Sequence, residues 1–120
     1  MIIAVDFDGT LCTDMYPSIG SERQFVIDFI KDQRKKGAKL IFHSCRSGLQ
    51  ETEAVIWCLA HGIRFDAVNE NLPENIAIYG NDCRKIYADI YLDDKAVYPS
   101  KKNLERLMQE LKHEDTADEE

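Results

Sequence analysis

Hydrophobic and polar positions along the chain switch between a strand pattern and a helix pattern. Residues Ile2–Val5 are an unbroken apolar run rich in β-branched side chains, the pattern of a strand buried on both faces. Polar and turn residues follow through Pro17 and Gly20. From Ser21 the period becomes helical: Ser21-x-x-Gln24 reads as a capping box, and Phe25, Val26, Phe29 and Ile30 form one apolar stripe. Lys35-Lys36-Gly37 closes that helix with cations in the last turn and glycine just beyond. Residues 39–43 read as a second strand. A second helix is expected over 48–61, with Leu49, Ala54, Ile56, Trp57 and Leu59 as its core residues and Gly62 as its stop. Residues 65–68 read as a third short strand, and Asn69-Glu70-Asn71-Leu72-Pro73 as a loop by composition. Residues 88–92 give a fourth strand running into Asp93-Asp94, and 96–98 a short edge strand blunted by Pro99. The last helix starts at Ser100 and carries Leu104, Leu107, Met108 and Leu111 at i, i+3, i+4 and i+7.

Strands alternating with helices predict an α/β fold: a doubly wound, Rossmann-like parallel sheet of about five strands, with right-handed crossovers and helices on both faces. In such sheets the functional site lies beyond the carboxyl ends of the strands. Those ends carry Asp6 and Asp8, then His43-Ser44-Cys45-Arg46, then Asp66 and Asn69, then Asp93-Asp94. Four polar clusters at one sheet edge form a site.

Composition adds limits. A chain of 120 residues is one domain with enough core to fold without disulfides or structural metal. Its net charge of −7 is concentrated at the end, where the last seven residues hold five acids and no base; without them 17 acids face 15 bases. The expected division is therefore a folded core over 1–112 and an acidic, disordered tail over 113–120. A near-neutral core with no basic block disfavours nucleic acid as a partner. Cys12, Cys45, Cys58 and Cys83 are widely spaced, with no Cys-x-x-Cys. The apolar run Met1–Val5 is too short for a signal peptide or a membrane span, so the expectation is a cytoplasmic protein with free thiols and no membrane partner.

Asp6 and Asp8, two residues apart past a buried strand, straddle a turn that Gly9 permits. Like charges this close require a cation or a retained proton. With Asp93 and Asp94 arriving from another strand end, the local charge calls for a metal, and hard carboxylate oxygens suit magnesium better than zinc. Arg46 lies two residues past Ser44, where its guanidinium would fork onto a substrate anion or pair with a neighbouring acid. Cys12, His43, Cys45 and Cys83 match no common zinc spacing.

The run Asp6-Phe7-Asp8-Gly9-Thr10 after an apolar strand resembles the signature of the haloacid dehalogenase superfamily. The resemblance implies that Asp6 attacks phosphorus to form an aspartyl-phosphate, and that Asp8 protonates the leaving oxygen and then activates water. Relatives that cleave carbon–halogen or carbon–phosphorus bonds generally lack the second aspartate, so Asp8 favours phosphate esters. Carried along the chain, the resemblance assigns Ser44 to the phosphoryl oxygens, Lys85 to charge neutralisation, and Asp93 and Asp94, with Asp6 and Asp8, to Mg2+. Gly9, Thr10, Arg46 and Asn69 are the candidate substrate contacts, and residues 63–80 the local segment most suited to add others.

The resemblance also implies a core without a cap domain, because neither the gap between Asp8 and Ser44 nor that between Ser44 and Lys85 holds one. The substrate, a phosphorylated small molecule or macromolecule, would then meet an open site unless a second subunit of a homo-oligomer supplies a lid. A receiver-like phospho-acceptor domain fits less well, because the third strand ends in Asn69 and the double acid follows the fourth. Phosphotransfer to another acceptor and a non-catalytic interaction module are the remaining alternatives.

Overall fold

The structure is a computed structural model that describes residues 1–80, 86–93 and 100–118 of the chain, with side chains of the last helix described through Leu111. Four parallel strands, β1 (Ile2–Val5), β2 (Lys39–Phe42), β3 (Ala67–Val68) and β4 (Ile90–Leu92), lie in the order β3-β2-β1-β4. They are joined by α1 (Gln24–Lys35), α2 (Gly48–Ala60) and α3 (Pro73–Tyr79), and α4 (Lys101–Asp118) follows. The expected edge strand over 96–98 lies outside the described residues. No described helix is long and apolar enough to cross a membrane.

Alternation along each strand divides the apolar residues between two layers. Ile3, Val5, Leu40, Phe42 and Leu92 face a core shared with α1, α2 and Leu104 of α4. Ile41 and Ala67 face the opposite layer, where Leu72 and Ile86 cover them. The central strand β1 is buried from Ile3 to Val5, as its continuous apolar run requires.

Register fixes the functional edge. Val5 pairs with both Phe42 and Leu92, and Phe42 pairs with Val68. The next residues therefore stand in one row, Asp93–Asp6–His43–Asn69 across the sheet. The amides of Asp6, His43 and Asn69 donate to the carbonyls of Leu92, Val5 and Phe42 at 3.0, 2.9 and 2.7 Å.

Several local expectations are corrected. Ser21 does not cap α1, which begins at Gln24 after Arg23 with no side-chain cap. Instead the 11–13 segment pairs with 21–23: Thr13 N–H donates to Ser21 O, and Arg23 N–H to Leu11 O, both at 2.9 Å. In α2 the buried residues are Ala54 and Cys58, whereas Leu49, Ile56 and Leu59 are more than half exposed. The inward face of α2 is set by Ala54 and Cys58, four apart, which leaves the other three on the outer side. The 63–80 stretch is not a continuous loop but contains α3, which opens on Pro73, where no amide is needed, and closes on Gly80 at φ 76°. Strands β3 and β4 start two residues later than the sequence pattern implies. Asp66 thereby falls at the amino end of β3, where Arg34 binds it at 2.7 and 3.2 Å and Leu40 N–H donates to it at 2.9 Å. It belongs to the far edge of the sheet. The backbone of α4 remains helical past residue 112, the boundary expected for the tail.

Candidate active site

Beyond the carboxyl ends of β1 and β2 lies a cleft of about 460 Å³ lined by Asp6, Asp8, Asp14, Tyr16, Ser44, Cys45 and Arg46. A smaller cavity of about 180 Å³ sits at the opposite edge, against Gln33, Gly37 and Met108, and holds none of the site residues.

The turn after β1 is anchored from below. Phe7 is fully buried against Phe42 and Trp57, with ring centroids 6.0 and 5.3 Å away. That burial pins the backbone between the two aspartates. Phe7 N–H donates to Asp6 Oδ1 at 2.8 Å, which orients the carboxylate. Gly9 takes φ 82°, a left-handed conformation that suits glycine. The chain then folds back, with Thr10 and Leu11 amides donating to Phe7 O at 3.2 and 3.0 Å.

Arg46 dominates the electrostatics. Its side chain is 1% exposed, and Nε and Nη2 donate to the two oxygens of Asp8 at 2.8 and 2.7 Å. Nη1 and Nη2 also reach Pro17 O and Ser18 O at 3.1 and 2.9 Å. The guanidinium lies 5.1 Å from the ring centroids of both Phe7 and Tyr16. The hydrogen bonds it donates to Asp8 raise its pKa above the usual arginine value against the opposing pull of burial, so Arg46 stays cationic throughout the working pH range. Of the two partners open to Arg46 in sequence, the structure supplies the acid, and a loop besides.

Ser44 lines the cleft. Its hydroxyl oxygen accepts from Arg46 N–H at 3.0 Å, and its own amide donates to Asn69 Oδ1 at 2.8 Å. Asn69, at φ 51°, uses its amide nitrogen on Glu51 at 2.7 Å. It is a bracket between β2, β3 and α2, and is absent from the cleft lining. Gly9 is committed internally too: its amide donates to Cys12 O at 2.9 Å, and its carbonyl accepts from Arg23 at 2.9 Å. Thr10 is fully buried, because the fold-back turns its side chain into the protein. Gly9, Thr10 and Asn69, expected as substrate contacts, are absent from the cleft lining and make these internal contacts instead.

Asp93 follows β4 next to Asp6 in the strand-end row. Lys85 and Asp94 lie outside the described residues. Among the described residues no three His, Cys, Asp or Glu side chains form a group able to hold a metal ion. Both oxygens of Asp8, expected among the magnesium ligands, are engaged by Arg46.

Cys45, of the cluster after β2, lines the cleft, as do Asp14 and Tyr16, which the sequence pattern does not single out. Asp14 and Tyr16 belong to the polar stretch after the motif, which composition marks only as a turn. Their signal is indirect: a loop after the first strand has to pass over the carboxyl edge to reach the first helix. Three described cysteines, Cys12, Cys45 and Cys58, are free; burial pushes the Cys58 thiol up to about 12 and also raises Cys12, while Cys45 is exposed.

No protein-family model matches the chain, and no curated protein matches it. A solved structure of a conserved protein from Bacteroides thetaiotaomicron is similar, with 37% sequence identity and a TM-score of 0.79, over 92% of this chain and 90% of that one. Identity at that level over nearly the whole of both chains, on the same α/β architecture, places this protein in one family with that conserved Bacteroides thetaiotaomicron protein.

Proposed function

We propose that the protein is a magnesium-dependent phosphohydrolase of the haloacid dehalogenase type, cleaving a phosphate monoester through an aspartyl-phosphate on Asp6. The observation that carries this reading is the meeting of Asp6, Asp8 and Ser44 in one cleft at the carboxyl edge of a parallel sheet. They come from two strand ends, and register sets Asp93 of a third beside Asp6.

In this reading Asp6 is the nucleophile, held by Phe7 N–H so that one oxygen is presented to phosphorus. Its oxygen forms a bond to phosphorus as the ester P–O bond breaks, and the departing alkoxide takes a proton from Asp8. Asp8 then takes a proton from water, which attacks phosphorus and releases Asp6 and inorganic phosphate. As an acceptor at both oxygens, Asp8 stands in the form suited to the second step. Donating a proton in the first step requires it to loosen one arm of the Arg46 fork. Arg46 is thus a positioning residue for Asp8. The Ser44 hydroxyl, with its oxygen already accepting from Arg46 N–H, keeps its proton for a phosphoryl oxygen.

The ligands proposed for magnesium are Asp6 and Asp93, hard carboxylates following adjacent strand ends, with Asp94 as the further expected one. Bound there, the ion would offset the repulsion between the Asp6 carboxylate and the phosphate dianion. Lys85 keeps its proposed role in neutralising phosphate. An open site without a cap domain and a cytoplasmic location belong to the same proposal.

The test is a phosphate-release screen over sugar phosphates, nucleotides and phospho-acids, with and without magnesium, beside Asp6→Asn. Magnesium-dependent release that Asp6→Asn abolishes is expected. Full activity in the variant overturns the nucleophile assignment, and silence on every ester favours a non-catalytic interaction module.

A further inference from the structure

The outer wall of the cleft is a loop, residues 13–20, that brings a carboxylate and an aromatic ring together. Asp14 and Tyr16 both line the cleft, and Tyr16 is 59% exposed. This wall is built. Tyr16 N–H donates to Asp14 Oδ1 at 3.3 Å. Arg46 holds the Pro17 and Ser18 carbonyls and lies over the Tyr16 ring. At the base of the loop Ser21 N–H donates to Thr13 Oγ1 at 2.9 Å, and Gly20 fits so closely that a Cβ there would meet Thr13 O at 2.1 Å. The same guanidinium that positions Asp8 therefore positions this wall.

Asp6 and Asp8 serve the reacting phosphoryl group in the reading above, which leaves Asp14 and Tyr16 for the alcohol that departs. Among the described lining residues the only cation is Arg46, and Asp8 already offsets its charge. An alcohol with hydroxyl groups can donate to Asp14 and lay its C–H surface on the ring. A second anionic group on that alcohol would instead meet a carboxylate of like charge.

We infer that the 13–20 loop selects phosphate monoesters of neutral, hydroxyl-bearing alcohols, of the sugar or polyol class, with Asp14 and Tyr16 as the specificity-determining pair. This inference rests on the hydrolase reading. Like charges that meet near a protein surface, after screening by salt, correspond to roughly tenfold in kcat/KM against the anionic ester.

The experiment compares substrates that differ by one carboxylate: glycerol 3-phosphate against 3-phosphoglycerate, and glucose 6-phosphate against 6-phosphogluconate. The wild-type protein should favour the neutral member of each pair by roughly tenfold. Asp14→Asn keeps an oxygen for the Tyr16 amide but removes the charge, so the ratio should collapse towards one. Asp14→Lys should reverse it. A wild-type preference for the acids, or ratios that neither variant moves, overturns the inference while leaving the hydrolase standing. Failure to release phosphate from any ester overturns both, whereas release that Asp6→Asn abolishes, with the wrong ratios, overturns the inference alone.

Discussion

Replacing Arg46 with alanine perturbs the most consequential interaction in the site. The wild-type side chain is 1% exposed and its partner Asp8 is 17% exposed. Removing one member of a buried ion pair costs about 3–5 kcal/mol, mostly because the other charge is left without its partner. Asp8 opens onto the cleft and can recover water, which favours the lower end of that range. The carbonyls of Pro17 and Ser18 also lose their donor, although the loop they belong to is exposed and can rehydrate. A net loss of about 3 kcal/mol is the expected result, or about 10 °C in Tm for a domain of this length. Urea unfolding followed by circular dichroism measures it directly. Arg46→Lys should recover less than half, since an ammonium cannot span both Asp8 oxygens and both carbonyls. In a cycle with Asp8→Ala the two changes should be non-additive by about 2 kcal/mol. A loss below about 1 kcal/mol for Arg46→Ala, or additivity within about 0.5 kcal/mol, refutes the claim that this pair organises the site.

Two further outcomes follow from the edges of the fold. Burial pushes the Asp66 carboxyl upward, but the Arg34 hydrogen bonds and the Leu40 amide pull harder, leaving its pKa below the usual value. With the folded value below the unfolded one, this stabilisation is complete above about pH 4 and drains away as the pH falls through the folded-state value. Asp66→Asn should therefore lower stability by about 1–2 kcal/mol at neutral pH, with the gap closing in strong acid; a gap that widens on acidification contradicts the assignment. Among Cys12, Cys45 and Cys58, a brief pulse of iodoacetamide on the native protein should label Cys45 alone, because burial protects the other two and raises their thiol pKa values. Peptide mapping that finds Cys58 labelled as fast as Cys45 would show that α2 opens readily.

What was legible in the sequence follows the range of the interactions concerned. The run Ile2–Val5 forces a buried central strand, and a parallel sheet then brings Asp6, Asp93 and the segment after β2 to one edge whatever the loops do. Most of the site row is a consequence of topology, hence readable. The capping box at Ser21 is a local signal, and it lost to pairing with a segment eight residues earlier. Helix α3 is hidden in the sequence because Asn69 to Pro73 reads as loop, although proline in the first turn and glycine at the left-handed terminus are compatible with helix. The outward side chains of α2 could not be told from core, because apolar residues occupy both of its faces. The Arg46–Asp8 fork joins residues 38 apart, and no spacing rule chooses between an acid of the chain and an anion of the substrate. The same holds for Asn69, whose side-chain amide closes a bracket between three elements only after they are packed.

Trapping the phosphoryl group on Asp6 tests the proposed chemistry most directly. Asp8→Asn, incubated briefly with magnesium and an aryl phosphate and then quenched in acid, should gain the mass of one phosphoryl group. Peptide mapping should locate it on Asp6, and Asp6→Asn/Asp8→Asn should gain nothing. A phosphoryl group on any other residue, or phosphate release from the wild type with Asp6→Asn fully active, would contradict Asp6 as the nucleophile.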